Sequence, residues 1–250
     1  MRNYLVLCFL LFFASLALAD EVVVPVDHFP PWKIVGNDKS VGGVDIILLN
    51  SLLRSMGLKP RYEVYPWVRC LHVMEAGQAD LISGVIKSAD REEYLYFIAP
   101  PYKRTSKKVF YIRKGGDTVV QKFDDLVGLK IGVQFGVKYF DKFDADATLK
   151  KMPVKNDYFN MQKLISGRID TFITTETVGD YYLALYGYSD EIEKAQYYSE
   201  NQIDVYFAIS KKSELMKRVP ELSSLISELV FSGFVERMTQ SVISNQSEQP

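Results

Sequence analysis

Arg91 is a lone arginine among acidic residues, a few positions after a short apolar run that ends at Gly84. The run has the length of a buried strand, and open α/β sheets bind ligands outside the carboxyl ends of their strands. A guanidinium at such a place can hold a carboxylate through two parallel charge-assisted hydrogen bonds. The alternative is a surface arginine that pairs with Asp90, Glu92 or Glu93. The residue types therefore indicate either a carboxylate site or a surface ion pair.

The cysteines and histidines suggest little other chemistry. Cys8 lies in the N-terminal apolar segment, and Cys70 falls in the apolar stripe of a predicted helix, where a buried thiol acts as a small hydrophobe. The chain has two histidines, His28 and His72, and His72 lies on a different face of that helix from Cys70. A catalytic thiol and a metal site are both disfavoured. We predict no metal and no cofactor.

The net charge and the N-terminal segment limit the possible partners and location of the protein. The formal net charge of -1 gives no broad attraction to nucleic acid, so we predict no nucleic-acid partner. Arg2, the apolar segment 4–18 and the small residues Ala17 and Ala19 have the form of a secretory signal peptide over residues 1–19. The apolar segment is short for a membrane span of about 20 residues. We therefore expect cleavage and export of a soluble product.

The elements that would position these residues alternate along the chain. The first half contains predicted strands and helices in the order strand, helix, strand, helix, strand: 21–26, 44–56, 59–65, 67–76 and 79–83. In the second half the extended segments are 107–113, 130–134, 170–174 and 203–210, with helical segments at 123–126, 160–167 and 213–243, the last broken or kinked at Pro220. This alternation predicts an α/β fold with mostly parallel sheets.

A set of short motifs in this order and spacing resembles one family, the extracellular solute-binding proteins of family 3, which serve polar amino-acid ABC transporters. The motifs cover nearly the whole mature chain. They are Gly42-Gly43-Val44-Asp45-Ile46, Trp67, Gly77-Gln78-Ala79-Asp80, Arg91 with Pro101-Tyr102, the run from Asp125 to Val133, Gly136, and Gly167-Arg168-Ile169-Asp170.

The resemblance implies a periplasmic-binding-protein-like fold of two α/β lobes joined by a two-strand hinge. Residues 20–106 and 207–243 would form lobe 1, residues 107–206 would form lobe 2, and residues 244–250 would be a flexible tail. It also implies a monomer in the periplasm that holds a small molecule with a carboxylate in the cleft. An ABC permease or a membrane receptor would be its partner.

The family's site residues are carried over one at a time. Arg91 matches the arginine that holds the ligand's carboxylate, and Trp67 matches the aromatic platform under the ligand, with a core tryptophan as the alternative. Gly84 matches a position whose backbone faces the ligand. Gly136 opens a turn whose N–H groups can face an anion. Phe29 belongs to the first loop, which covers the ligand.

Three positions depart from the family pattern. Ile86 and Val137 stand where the family has hydroxyl residues that help to hold the carboxylate. Thr175 stands where the family has the acid that pairs with the ligand's ammonium group, and Glu176 follows it. On an extended strand these two side chains point to opposite faces, so Thr175 keeps the family's direction and Glu176 faces away.

The sequence thus predicts an exported protein that closes on a small carboxylate-bearing solute, an amino acid or an analogue, for ABC uptake. We do not expect an enzyme. One alternative is a ligand-sensing module that reports to a membrane receptor without transport. Another is an enzyme similar to cyclohexadienyl dehydratase, in which a buried Glu176 with a raised pKa would act as general acid.

Overall fold

The computed structural model describes residues 21–104, 107–199 and 203–247. The predicted signal peptide at 1–19 and the last residues of the predicted tail, 248–250, lie outside these ranges. Positions 105, 106 and 200–202, at the two predicted connections between the lobes, lie outside them as well.

The first lobe begins with strands and helices in close alternation. In chain order they are β1 (Glu21–Val26), β2 (Ile34–Val35), β3 (Val41–Gly42), α1 (Val44–Ser55), β4 (Lys59–Val64), α2 (Trp67–Ala76), β5 (Leu81–Ile86), α3 (Ala89–Glu92), β6 (Leu95–Phe97) and β7 (Lys103–Arg104). β1 pairs with β4 in parallel. Asp80 joins this pair to β5, because its backbone N–H donates to the Val23 carbonyl and its carboxylate accepts from the Val23 N–H.

The second lobe has its own five-stranded sheet. In chain order its elements are β8 (Lys108–Arg113), a 3-10 helix (Phe123–Leu126), β9 (Lys130–Gln134), α4 (Asp141–Ala145), β10 (Lys150–Val154), α5 (Asp157–Ile165), β11 (Thr171–Thr175), α6 (Glu176–Tyr186), a 3-10 helix (Tyr188–Asp190) and β12 (Ile192–Ser199). The strand order is β10-β9-β11-β8-β12. In this lobe the sequence patterns missed α4, β10, α6, the second 3-10 helix and β12.

The chain then returns to the first lobe. It adds β13 (Asp204–Ser210), a 3-10 helix (Glu214–Arg218), α7 (Val219–Phe231) and α8 (Phe234–Ser247). β13 lies between β5 and β6 and also pairs with β7. The predicted lobe boundary between residues 206 and 207 therefore falls inside a strand of the first lobe.

The expectation of mostly parallel sheets holds for part of each lobe. The pairs β1–β4, β9–β10 and β9–β11 are parallel. The pairs of β8 and β13 with their neighbours are all antiparallel. These two strands follow the passages of the chain from one lobe to the other.

The C-terminal helices correct two predictions. Pro220 lies in the first turn of α7, where a proline costs no hydrogen bond, and the break between long helices falls at Gly233 with a φ of +69°. The predicted flexible tail begins at residue 244, but α8 continues to Ser247. Pro220 thus starts a helix after a 3-10 turn, whereas Gly233 ends one.

Each lobe has its own apolar core. In the first lobe the valines of β1 alternate inward and pack with the leucines of α1 and with Phe207 of β13. In the second lobe Phe110 of β8 and Ile173 of β11 pack with Phe143 of α4. Phe29 and Trp32, from the loop after β1, pack against the second lobe's other core cluster. The two lobes are therefore in contact through the first loop.

Candidate functional site

A cavity of about 60 Å³ lies between the two lobes. Both lobes contribute to its lining. Most of the residues that were predicted from the sequence to bind the ligand lie on this lining: Phe29, Trp67, Gly84, Ile86, Arg91, Val137 and Thr175. The structure thus brings together residues that are up to 146 positions apart in the chain. Gly136 and Glu176 are not part of the lining.

Arg91 is held at the junction of the lobes. It lies on α3, just after β5, and is 2% exposed. Nη1 donates to the Ile86 carbonyl at 2.9 Å, and Nη2 donates to the Gly136 carbonyl of the other lobe at 3.0 Å. Glu92 pairs with Lys87 instead, at 2.8 Å. The surface-pair alternative for Arg91 is therefore wrong, because its guanidinium is buried against the cavity and bound by backbone carbonyls.

Trp67 is placed by a short amphipathic helix. In α2 the residues Trp67, Cys70, Val73 and Met74 share one buried face, and Gly77 in the left-handed region ends the helix. The Trp67 Nε1 donates to the Gly136 carbonyl at 3.1 Å, and the Arg91 guanidinium lies 5.6 Å from its ring centroid. Trp67 therefore lines the cavity and also contributes to the core of its own lobe, so both interpretations apply.

Gly136 acts through its carbonyl oxygen. It lies in the turn after β9 with a φ of +73°, and the same oxygen accepts from Trp67 and from Arg91. The predicted role was that of an N–H group facing an anion. The geometry gives it another one, a point where the second lobe accepts two hydrogen bonds from the first.

Gly84 is a point of close approach. Its φ is +78°, and a Cβ there would lie 3.4 Å from Lys33 Nζ and 3.5 Å from Asp45 Oδ2. Asp45 is fully buried and accepts a hydrogen bond from the Tyr102 hydroxyl at 2.9 Å. An added Cβ would meet both side chains at ordinary contact distance, so it is the left-handed backbone that favours glycine at this position.

Thr175 and Glu176 point in different directions. Thr175 ends β11 and is 5% exposed, and its Oγ1 accepts a hydrogen bond from Lys108 Nζ at 2.6 Å. Glu176 begins α6 and forms an ion pair with Lys194 at 2.9 Å, away from the cavity. The structure agrees with the expected facing of Thr175. It leaves the dehydratase hypothesis without its acid in the cavity.

The sequence analysis missed the basic residues of the lining. They are Lys33, Lys103, Lys108 and Lys138, and Asp27 and Gln134 accompany them. One signal was available for Lys108, because alternation along β8 places it on the same face as Phe110, a core residue. Two other basic residues of the first lobe lie outside the lining: Arg69 is exposed, and Lys87 is exposed and pairs with Glu92.

Two of the lysines have carboxylate partners. Lys33 pairs with Asp27. Burial lowers the pKa of Lys33, but Asp27 and Asp45 together outweigh it, so the pKa lies above its ordinary value. Lys103 lies 3.4 Å from Asp45 and 3.5 Å from the Trp32 ring centroid. Burial lowers the pKa of Lys103 to about 8 despite that carboxylate.

Lys108 contacts a hydroxyl, that of Thr175, rather than a carboxylate. It is 4% exposed, and burial lowers its pKa to about 8, opposed by Asp157 and reinforced by Lys103. Within the described residues no carboxylate lies within ion-pair distance of Lys108 or Arg91. The cavity therefore presents buried positive charge that the chain itself compensates only in part.

Three other features, a reactive cysteine, a metal site and a membrane-spanning helix, are not found in the described part of the chain. Cys70 is free and fully buried, and burial raises the pKa of its thiol to about 12, as expected for a structural cysteine. Across residues 21–104, 107–199 and 203–247, no three His, Cys, Asp or Glu side chains cluster in a way that would hold a metal ion. None of the helices in those ranges is long and apolar enough to span a membrane.

Known proteins are similar to this chain in sequence and in fold. The L-cystine-binding protein TcyJ of Escherichia coli K12 is 22% identical over 146 residues, which are 58% of this chain and 54% of TcyJ. The chain thus matches about half the length of that curated relative. Among solved structures, a mutant of ArgBP from T. maritima superposes with a TM-score of 0.77 at 19% identity, covering 90% of this chain and 95% of that one.

A second solved structure, the substrate binding protein of an amino acid ABC transporter, has a TM-score of 0.74 at 22% identity and covers 90% of this chain and 99% of its own. These likenesses confirm the two-lobed α/β fold. The family profile of the bacterial extracellular solute-binding proteins, family 3, matches residues 22–227. With that match over most of its length, the chain belongs to the bacterial extracellular solute-binding proteins, family 3.

Proposed function

We propose that this protein is exported and that its lobes close on a small carboxylate-bearing solute, an amino acid or an analogue, which it delivers to an ABC permease. Membership in a family of extracellular solute-binding proteins supports the binding role. The N-terminal pattern of Arg2, an apolar segment and small residues supports export through a cleaved signal peptide into the periplasm.

The observation that carries the proposal is the position of Arg91. A buried guanidinium is costly unless its charge is compensated. Two of its five N–H groups donate to backbone carbonyls, one from each lobe, and the others remain for a further acceptor. A carboxylate in the cavity would complete these hydrogen bonds and supply the missing negative charge. Because one bond already crosses between the lobes, the same group links binding to closure.

The test begins with a thermal-shift screen of amino acids, amines, keto acids and small dicarboxylates, followed by calorimetry on the solutes that stabilise the protein. Arg91→Ala should lose at least the ~1.5–3 kcal/mol of a charged hydrogen bond, roughly 10- to 150-fold in affinity. Arg91→Lys should recover only part of this loss, because an ammonium cannot make the planar two-bond contact.

Arg69→Ala is the matched control, since Arg69 is an exposed arginine of the first lobe outside the cavity lining. It should bind as the wild type does. Unchanged affinity in Arg91→Ala, with the control also unchanged, would remove Arg91 from the binding site and with it the basis of the proposal.

A further inference from the structure

The charges around the cavity do not suit a ligand with an ammonium group. The lining carries five basic side chains and one acidic one, Asp27, which is occupied by Lys33. Lys103 is occupied by Asp45, which lies behind the lining. Arg91, Lys108 and Lys138 remain without a carboxylate partner within the described residues. Arg91 and Lys108 are buried, and Lys138 is half-buried.

Lys108 occupies the neighbourhood in which an ammonium would have to sit. The resemblance to the family places the ligand's ammonium beside position 175. Here Thr175 has no charge, and its hydroxyl already accepts from Lys108 Nζ at 2.6 Å. An ammonium at this place would face a second ammonium in a water-poor cavity. Like charges at such short range repel strongly when both are removed from solvent.

Lys108 is instead suited to bind an anion. An ammonium has three N–H donors, and one of them is used by Thr175. Asp157 favours the charged form of Lys108 but is not within ion-pair distance of it, and its carboxylate accepts from Thr174 at 2.5 Å and from Asn160 at 3.0 Å. An acidic group in the cavity would offset the burial and the repulsion from Lys103 that together disfavour the charged lysine.

We propose that the solute carries two acidic groups and no ammonium group, with one acidic group bound by Arg91 of the first lobe and the other by Lys108 of the second. The inference rests on the proposed function and deepens it. Cations from opposite lobes would then bind opposite ends of one molecule, so that full affinity requires closure. A carboxylate and a phosphonate both supply the anionic oxygen atoms that would accept hydrogen bonds from Lys108.

The experiment compares matched probes by calorimetry. Succinate, glutarate and α-ketoglutarate carry two carboxylates, valerate carries one, glutamate adds an ammonium to glutarate, and a phosphonobutyrate replaces one carboxylate of glutarate. The tightest dicarboxylate should bind at least about tenfold more tightly than valerate and than glutamate. The phosphonate arm distinguishes a carboxylate from a phosphate-like group at Lys108.

Variants assign the second group to Lys108. In Lys108→Met the affinity for the tightest dianion should fall roughly 10- to 150-fold, while that for valerate changes less than about threefold. Lys108→Arg should retain the preference for dianions. Lys130→Met is the matched control, because Lys130 is also the first residue of a strand in the same sheet but is exposed. It should bind every probe as the wild type does.

The outcomes separate the two proposals. Equal binding of valerate, glutamate and the dianions, all lost in Arg91→Ala, would overturn the dianion inference and leave the proposed function standing. Absence of binding by any acid would overturn both. If Lys108→Met does not fold, the wild-type ranking decides, since a preference for glutamate over glutarate contradicts the inference without any variant.

Discussion

At the scale of single residues, the site is governed by basic side chains that are buried before any ligand arrives. Lys108 contacts a hydroxyl and is close to Lys103, so its charge is only partly compensated within the chain. The buried charge of such a residue attracts an anion but lowers the free energy of unfolding of the unliganded protein. This loss of stability is typical of functional sites and can be measured as a dependence of stability on pH.

The pH dependence has a definite sign. The pKa of Lys108 is about 8 in the folded protein and 10.5 ordinarily, so between these pH values the unfolded chain binds more protons and the free energy of unfolding rises with pH. Below pH 8 both states are protonated, and the full cost, on the order of 3 kcal/mol, is present. Asp157 and Asp144 reduce this cost, whereas Lys103 adds to it.

We therefore expect Lys108→Met to raise the free energy of unfolding at pH 7 by up to about 3 kcal/mol. The gap from the wild type should narrow as the pH rises from 8 to 10. Urea denaturation at a series of pH values measures this difference in unfolding free energy. Lys130→Met is the control, and its difference from the wild type should not change with pH. If the difference in unfolding free energy between Lys108→Met and the wild type did not change with pH, the pKa of Lys108 would not be lowered in the folded protein.

At the scale of elements, the turn after β9 decides how closely the lobes approach. A Cβ on Gly136 would lie 2.8 Å from Val68 Cγ2 and 3.6 Å from Trp67 Cδ1, both on α2 of the other lobe. Val68 is β-branched, so it has few alternative rotamers on a helix. The glycine thus permits both the left-handed turn and the contact between lobes.

Gly136→Ala should cost about 1 kcal/mol of stability from the left-handed backbone and should also weaken ligand binding roughly tenfold, because the clash arises only when the lobes are closed. Gly187→Ala is the control, since Gly187 has a φ of +69° with nothing within 4 Å of the added Cβ. Calorimetry and urea denaturation on both variants separate the two effects. Equal affinity in the two variants would show that the turn does not limit closure.

At the scale of the whole molecule, the described state has the lobes joined by direct contacts. Trp67 and Arg91 donate to Gly136, and His28 packs edge-on against Tyr182 at 6.2 Å between ring centroids. Phe29 and Trp32 of the first lobe also pack against the second lobe, but each lobe keeps an apolar core of its own. A fold of this kind is expected to open and close as two rigid parts.

Saturation with a ligand should therefore reduce the radius of gyration in small-angle scattering. The emission of Trp67 should shift at the same time, because its indole N–H meets the second lobe only on closure. Repeating the fluorescence in Trp32→Phe removes the contribution of the other tryptophan, which lies against Lys103. A bound ligand with unchanged scattering would argue against closure, and the same data report whether the protein is a monomer.

Local patterns in the sequence were sufficient for much of the architecture. α2 and β9 fall on the predicted residues, Trp67–Ala76 and Lys130–Gln134, because helical and strand periodicities depend on neighbouring residues alone. The order of the motifs was sufficient to nominate Arg91 and Trp67. The α6 helix was missed because Gly179 interrupts its buried face, where it packs closely against Tyr111 of β8.

The fold class, about half of the elements and the arginine that follows β5 could be predicted from local patterns and the order of the motifs. The charge of the cavity could not. Lys33, Lys103 and Lys108 come from the first loop, β7 and β8 and look like ordinary surface lysines in the sequence. They line one cavity because the two lobes meet there. The burial of a cation depends on what packs around it from elsewhere in the chain, and that is a non-local property which spacing along the sequence does not contain.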